Sequence, residues 1–252
     1  MAKRRKKSSG IETLISMMLL MSEILVNIIF RTIILTVDVI TYFTSSYHAK
    51  SGISLFTVIF DKGYYGEFIM FRKVASLLGK ESVLTNVYLE SKNTDFTEVD
   101  VLAVTNKAVY VLEVKNYGGY IYGSSKDQHW TQVMHKFSKH KFYNPLRQNY
   151  AHQKAVEQYL NLKSDHLMPI IVFSNRSKLS KITVDEHTHV YQYKNALKFI
   201  KHHEKNADYL FTDAQKEAFI VKLIAQSKMP NSIKEKHIAQ VQKVIETKQN
   251  PT

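Results

Sequence analysis

The chain has 252 residues, 44% of them hydrophobic, enough for one medium-sized core with extensions. Its 35 lysines and arginines outnumber 22 acids, and the resulting formal charge of +13 suits a polyanionic partner. With no cysteine, it has no disulfides, cysteine nucleophiles, iron–sulfur clusters or thiolate zinc sites. P-loop, G-x-G-x-x-G and nucleophile-elbow motifs are absent, and neither His202-His203-Glu204 nor His135 with His140 has a zinc spacing.

A basic leader at residues 1–10, carrying Lys3, Arg4, Arg5, Lys6 and Lys7, precedes an apolar stretch at 11–43. As one helix this stretch is about 50 Å long. Glu12, Ser16, Glu23, Asn27, Arg31 and Asp38 fall within about 100° of its circumference, and the rest is apolar. In residues 24–43, about fourteen apolar side chains at roughly −0.4 kcal/mol each gain about 6 kcal/mol, whereas Arg31 costs roughly 3 and Asp38 somewhat less. Insertion is near break-even and improves if several such helices pack their stripes together. The expectation is association with membrane lipid through residues 11–43, as a single-pass or in-plane anchor. The alternative is a homo-oligomerising helix in a cytoplasmic protein. A cleaved signal peptide fits poorly, because the stretch is too long, carries charges and lacks a small-x-small site. The basic leader predicts a cytoplasmic N-terminus, so one crossing would export the remainder, and an in-plane helix would retain it.

Beyond the apolar stretch, Gly63-Tyr64-Tyr65-Gly66-Glu67 opens a predicted helix that runs to Leu78 and stops at Gly79. Glu67 shares its stripe with Phe71, Val74 and Leu78, where a carboxylate needs a partner, although a first-turn acid also complements the helix dipole. Residues 99–104 and 108–114 read as a hairpin turning at Thr105-Asn106-Lys107. Alternation places Val109, Val111, Glu113 and Lys115 on one face of its second arm. A neighbouring strand can bring Asp100 beside them. Two carboxylates and an amine then converge, the equipment for holding a divalent metal and hydrolysing a phosphodiester. A structural Glu-Lys ion pair is the simpler alternative. Lys136, Lys139, Lys141 and Arg147, interleaved with Phe137, Phe142 and Tyr143, read either as a phosphate-gripping loop or as a solvated basic surface.

Asn144-Pro145-Leu146-Arg147-Gln148 introduces a second helix carrying Gln148 and His152 one turn apart. Met168 to Phe173 reads as a buried strand, a weaker one follows near 188–193, and 195–202 is helical. Capping boxes at Thr212 with Gln215 and Ser232 with Glu235 predict a helical pair, whose bland role is to cover the sheet. Trp130, the only tryptophan, is expected to pack in the core.

The ordered set Gly63-x-x-Gly66-Glu67, Glu98-Val99-Asp100, Glu113-Val114-Lys115-Asn116, Gly119, Gly123, Trp130 and Asn144-Pro145-Leu146-x-Gln148 resembles the nuclease-related domain, NERD, of the PD-(D/E)XK restriction-endonuclease-like superfamily. It covers residues 63–174, and the superfamily's proline before the aspartate is replaced by Val99. The resemblance implies an α/β fold with a central mixed sheet flanked by helices. It makes Asp100 and Glu113 the metal-binding acids for Mg²⁺, with Mn²⁺ as a substitute. Lys115 becomes the lysine that positions water or stabilises charge, Glu67 the supporting helix acid and Gln148 the glutamine at the site's edge. The expected division is a leader at 1–10, a membrane-associating helix at 11–43, the nuclease-like domain at 50–195 and a helical extension at 196–252. The expected activity is metal-dependent hydrolysis of nucleic acid, DNA before RNA, at a membrane. The alternative is a catalytically silent module binding nucleic acid or a protein there.

Overall fold

A computed structural model describes residues 10–91, 95–134 and 138–227, so the basic leader, Lys136, Phe137 and the Ser232 capping box lie outside the described residues. The chain divides into two units, one ending at Thr44 and one beginning at Ser45. In the first, α1 (Gly10–Thr44) is one uninterrupted helix, as the apolar stretch at 11–43 predicts. Its hydroxyls fold back onto its own backbone: Ser16 donates to Thr13 O, Ser22 to Leu19 O, Thr32 to Ile28 O and Thr36 to Thr32 O. The Asn27 amide likewise donates to Glu23 O at 2.8 Å.

The second unit opens with two short helices, α2 (Tyr47–Ser51) and α3 (Leu55–Phe60), and then α4 (Lys62–Leu78). Asp61 caps α4, its carboxylate accepting from Gly63 N and Tyr64 N at 2.7 and 3.0 Å, and Gly79 ends it at φ 90°. An antiparallel meander follows, β1 (Val83–Glu90), β2 (Phe96–Val104) and β3 (Val109–Lys115). After α5 (Pro145–Leu160), β7 (Leu167–Phe173) adds parallel to β3 and β9 (His189–Gln192) parallel to β7, giving the order β1-β2-β3-β7-β9. Next come α6 (Tyr193–Asn206) and α7 (Asp213–Ser227), the latter started by the predicted capping box, Thr212 N to Gln215 Oε1 and Gln215 N back to Thr212 Oγ1.

Alternation along β3 assigns the two covering layers. Val109 and Val111 pack with Ala155, Val156 and Leu160 of α5 and with Phe211 and Leu223. Tyr110 points the other way and donates to Glu204 of α6, which packs against α4. The sheet is thus covered on both faces, by α5 and α7 on one and by α4 and α6 on the other, the central mixed sheet flanked by helices that the sequence implied.

A second sheet, ordered β6-β5-β4-β8, was not evident from the sequence. It comprises β4 (Gly119–Ser124), β5 (His129–Val133), β6 (Lys139–Tyr143) and β8 (Ser177–Thr183). Ile121, Trp130 and Phe142 from this sheet close on Ile171 and Phe173 of β7. Trp130 is the core residue expected, stacked 6.1 Å from Phe173 with ring planes 7° apart. Phe142 is also core, which removes it from the aromatic-basic surface suggested for that segment. A Cβ on Gly123 would lie 2.2 Å from the indole, so Gly123→Ala must displace a ring that has nowhere to go. We expect a loss of about 1–3 kcal/mol in chemical denaturation, with red-shifted Trp130 emission.

Candidate active site at the β2–β3 edge

Two backbone features bring the acids together. The β2–β3 ladder ends at Val101 opposite Leu112, so one step further Asp100 stands across from Glu113. In β1, Asn86 adopts φ 51° and the β1–β2 register skips the Asn86/Asp100 pair. The left-handed residue changes which face the strands present: the α5-side cluster takes Leu84 but then Val87 and Leu89 from β1, and Val99 but then Leu102 and Val104 from β2. Strict period-two alternation fails here.

Asp100 leans onto β3, its Oδ2 accepting the Val114 N–H at 2.7 Å. Glu113 is fully buried. Its Oε2 accepts from His152 Nε2 at 2.9 Å, and His152 Nδ1 in turn meets the Thr97 hydroxyl at 2.7 Å, which fixes the ring. Its Oε1 is paired with the Lys115 ammonium at 2.5 Å. Lys115 Nζ also donates to Gln148 Oε1 at 3.1 Å. Gln148 and His152 sit on α5, which starts where Asn144 accepts from Leu146 N with Pro145 in the first turn.

Glu67 enters from α4. Close packing of this helix permits it: a Cβ on Gly66 would fall 2.5 Å from Asn116 Cβ, so a larger residue would push α4 off the end of β3. The Asn86 amide bridges two carboxylates, donating to Glu67 Oε2 at 2.9 Å and to Glu98 Oε1 at 2.8 Å. Asn86, Glu98 and Thr97 are therefore parts of the arrangement that the sequence reading left without roles. A signal existed, since Glu98 lies two residues before Asp100 in one strand and Thr85-Asn86 is a polar pair inside an apolar run.

Electrostatics divides these groups. Burial raises the Asp100 carboxyl well above its ordinary value, helped by the Glu113 and Glu67 charges. Burial, then Glu98, pushes Glu67 up to about 8 against the Asn86 hydrogen bond. For Glu113 burial acts in the same direction, but Lys115 and His152 outweigh it and hold the group below its ordinary value. For Lys115 burial is outweighed by Glu113 and Asp100, which keep it charged. The result is one settled ion pair beside carboxyl groups for which Lys115 offsets only part of the cost of burial.

Hard oxygen donors with excess negative charge have the chemistry that suits a divalent cation, and the β2–β3 register brings the Asp100 and Glu113 carboxyl groups to one place. Among the described residues no three His, Asp or Glu side chains come together with metal-holding geometry. An open groove of about 1930 Å³ runs along α5 and reaches Asp100, Gln148 and His152.

The nuclease-related domain family matches residues 62–174. An uncharacterised protein of Bacillus anthracis is 31% identical over 182 residues, covering 70% of this chain and 82% of that protein. The solved protein of unknown function AF1548 aligns at 17% identity over 70% of this chain and 98% of its own, with a TM-score of 0.31, too low to carry an argument. The family match and this relative together show that the chain belongs to the nuclease-related domain, NERD, family.

Proposed function

We propose that the protein is a metal-dependent nuclease that hydrolyses nucleic-acid phosphodiesters, DNA before RNA, while held at a membrane by α1. The observation that carries this is the Asp100 carboxyl group standing across from Glu113, beside the Glu113–Lys115 pair, with its burial only partly offset. Asp100 and Glu113 would hold Mg²⁺, or Mn²⁺ in its place, which when bound supplies Lewis-acid polarisation of the phosphate and a water of lowered pKa. Lys115, kept protonated by its neighbours, offers a positive charge to the negative charge that develops on phosphorus-bound oxygens. Gln148 holds the lysine in place, and His152, locked by Thr97, holds Glu113. Glu67, pushed up to about 8 by burial and Glu98, is the supporting acid from α4, held by the Asn86 amide. Calorimetric titration of the detergent-solubilised protein tests the metal step: Mg²⁺ and Mn²⁺ should bind wild type, and Asp100→Asn should remove the binding. Heat of binding that is identical in both proteins would contradict the assignment.

One observation favours a second reading. Both Glu113 oxygens already face cations or donors within the protein, which suits a silent module that binds nucleic acid without metal. A tight complex that forms in chelator, with no cleavage when Mg²⁺ or Mn²⁺ is added, would select it.

For the anchor, α1 is long and apolar enough to cross a membrane. Its hydroxyls are satisfied by its own carbonyls, which lowers their cost in lipid. The intact protein should sediment with membranes, resist extraction by high salt and come off in detergent. Removal of residues 1–44 should release it to the supernatant. Release by salt alone would replace the hydrophobic anchor with a peripheral one. Soluble oligomers that fall apart on the same deletion would make α1 an assembly helix.

A further inference from the structure

We propose that the groove along α5 takes single-stranded nucleic acid, with bases stacked on Tyr143 and Tyr150 and phosphates met by Lys141 and Arg147. This names the substrate class of the site above and rests on that reading only for where the strand is cut. Two strips build the surface. Along β6, alternation turns Phe142 into the core and Lys141 with Tyr143 outward. On α5, Arg147 and Tyr150 stand one turn apart on the outer face. All four line the groove that also takes in Asp100 and Gln148.

Both rings are accessible at the surface, Tyr143 at 41% and Tyr150 at 60% exposure. His129 meets Tyr143 edge-on, and Lys154 Nζ lies 5.4 Å from the centre of the Tyr150 ring. An outward basic residue close in sequence to an outward aromatic, Lys141 with Tyr143 and Arg147 with Tyr150, repeated on two elements beside the candidate site, matches the way unpaired strands are held: the charge follows the backbone and the ring stacks on a base. A duplex cannot use the rings, because its base faces are covered by their own neighbours and only its phosphates are presented. The tyrosines therefore discriminate between strand states, while the cations serve both.

The test is fluorescence anisotropy on the full-length protein in detergent, with EDTA present so that cleavage contributes nothing. The probes are labelled oligothymidylate, labelled oligouridylate and a labelled DNA hairpin duplex at one salt concentration. Single strands should bind about tenfold tighter than the duplex. Tyr150→Ala and Tyr143→Ala should each weaken single-strand binding about tenfold, while Tyr150→Phe keeps it and the duplex responds to neither. The tighter of the two single strands identifies DNA or RNA as the source. If Tyr143→Ala loses the emission of buried Trp130, Tyr150→Ala decides alone. Equal or tighter duplex binding, or alanine variants that bind like wild type, overturns the inference. Metal-dependent cleavage of duplex alone would overturn it and leave the nuclease standing. Tyrosine-dependent single-strand binding with no cleavage in either metal would support it and overturn the nuclease.

Discussion

Asp100→Asn is expected to lower phosphodiester cleavage by about 10³-fold or more and, at neutral pH, to raise the melting temperature. The two effects share one cause. The Asp100 carboxyl is held well above its ordinary value of 3.8 by burial and by Glu113 and Glu67. A raised folded-state pKa means that its contribution to stability is fully present below the unfolded pKa and is lost as pH rises through the folded one. Above that window the wild-type protein carries a charge that Lys115 offsets only in part and that the asparagine lacks, while an amide oxygen can still accept from Val114 N. Thermal melts across pH should show the variant's advantage at neutral pH vanishing toward the acid end. A variant that melts below wild type at neutral pH would mean that Asp100 is stabilised where it stands.

Lys115→Ala has the opposite signature, losing stability and turnover together. It strands the fully buried Glu113 carboxylate with His152 as its remaining partner, at a cost of about 3–5 kcal/mol in chemical denaturation. Turnover should fall about 10²–10³-fold, since the charge offered to the reacting phosphate is gone. Glu113→Gln should also destabilise, by leaving the lysine unpaired. The double variant Glu113→Gln with Lys115→Met should be more stable than either single variant and remain inactive, because a pair of buried charges is then replaced by neutral groups. Single variants as stable as wild type would show that the pair contributes nothing to the fold.

The parts of the fold legible in the sequence were those with strong local signals. The helix at 63–78 carries its glycine stop, the hairpin its polar turn at Thr105-Asn106-Lys107, and α7 its capping box. The apolar run at 11–43 became α1 within a residue at each end. The second sheet was not legible, for reasons visible in its strands. β6 reads Lys139-His140-Lys141, a basic loop by composition, and becomes a strand only because Phe142 docks on Trp130. In β8, Leu179 and Ile182 both reach the core at a spacing of three, which a register shift opposite Ile121 and Tyr122 allows and a period-two reading misses.

The site divides in the same way. Glu113 and Lys115 followed from strand alternation, Asp100 from a neighbouring strand and the ordered motif, and Gln148 reaches Lys115 from its helix. Asn86 did not follow. Its left-handed conformation is a property of one backbone angle, yet it changes which side chains of β1 turn toward α5 and presents one amide to both Glu67 and Glu98.

The most direct test of the central claim is the release of labelled fragments from single-stranded and duplex DNA and RNA by the purified full-length protein. Wild type and Asp100→Asn would be run side by side in Mg²⁺, in Mn²⁺ and in EDTA. The account predicts cleavage by wild type in either metal, none in EDTA and none by the folded variant. Cleavage that persists in EDTA, or in Asp100→Asn, would contradict it.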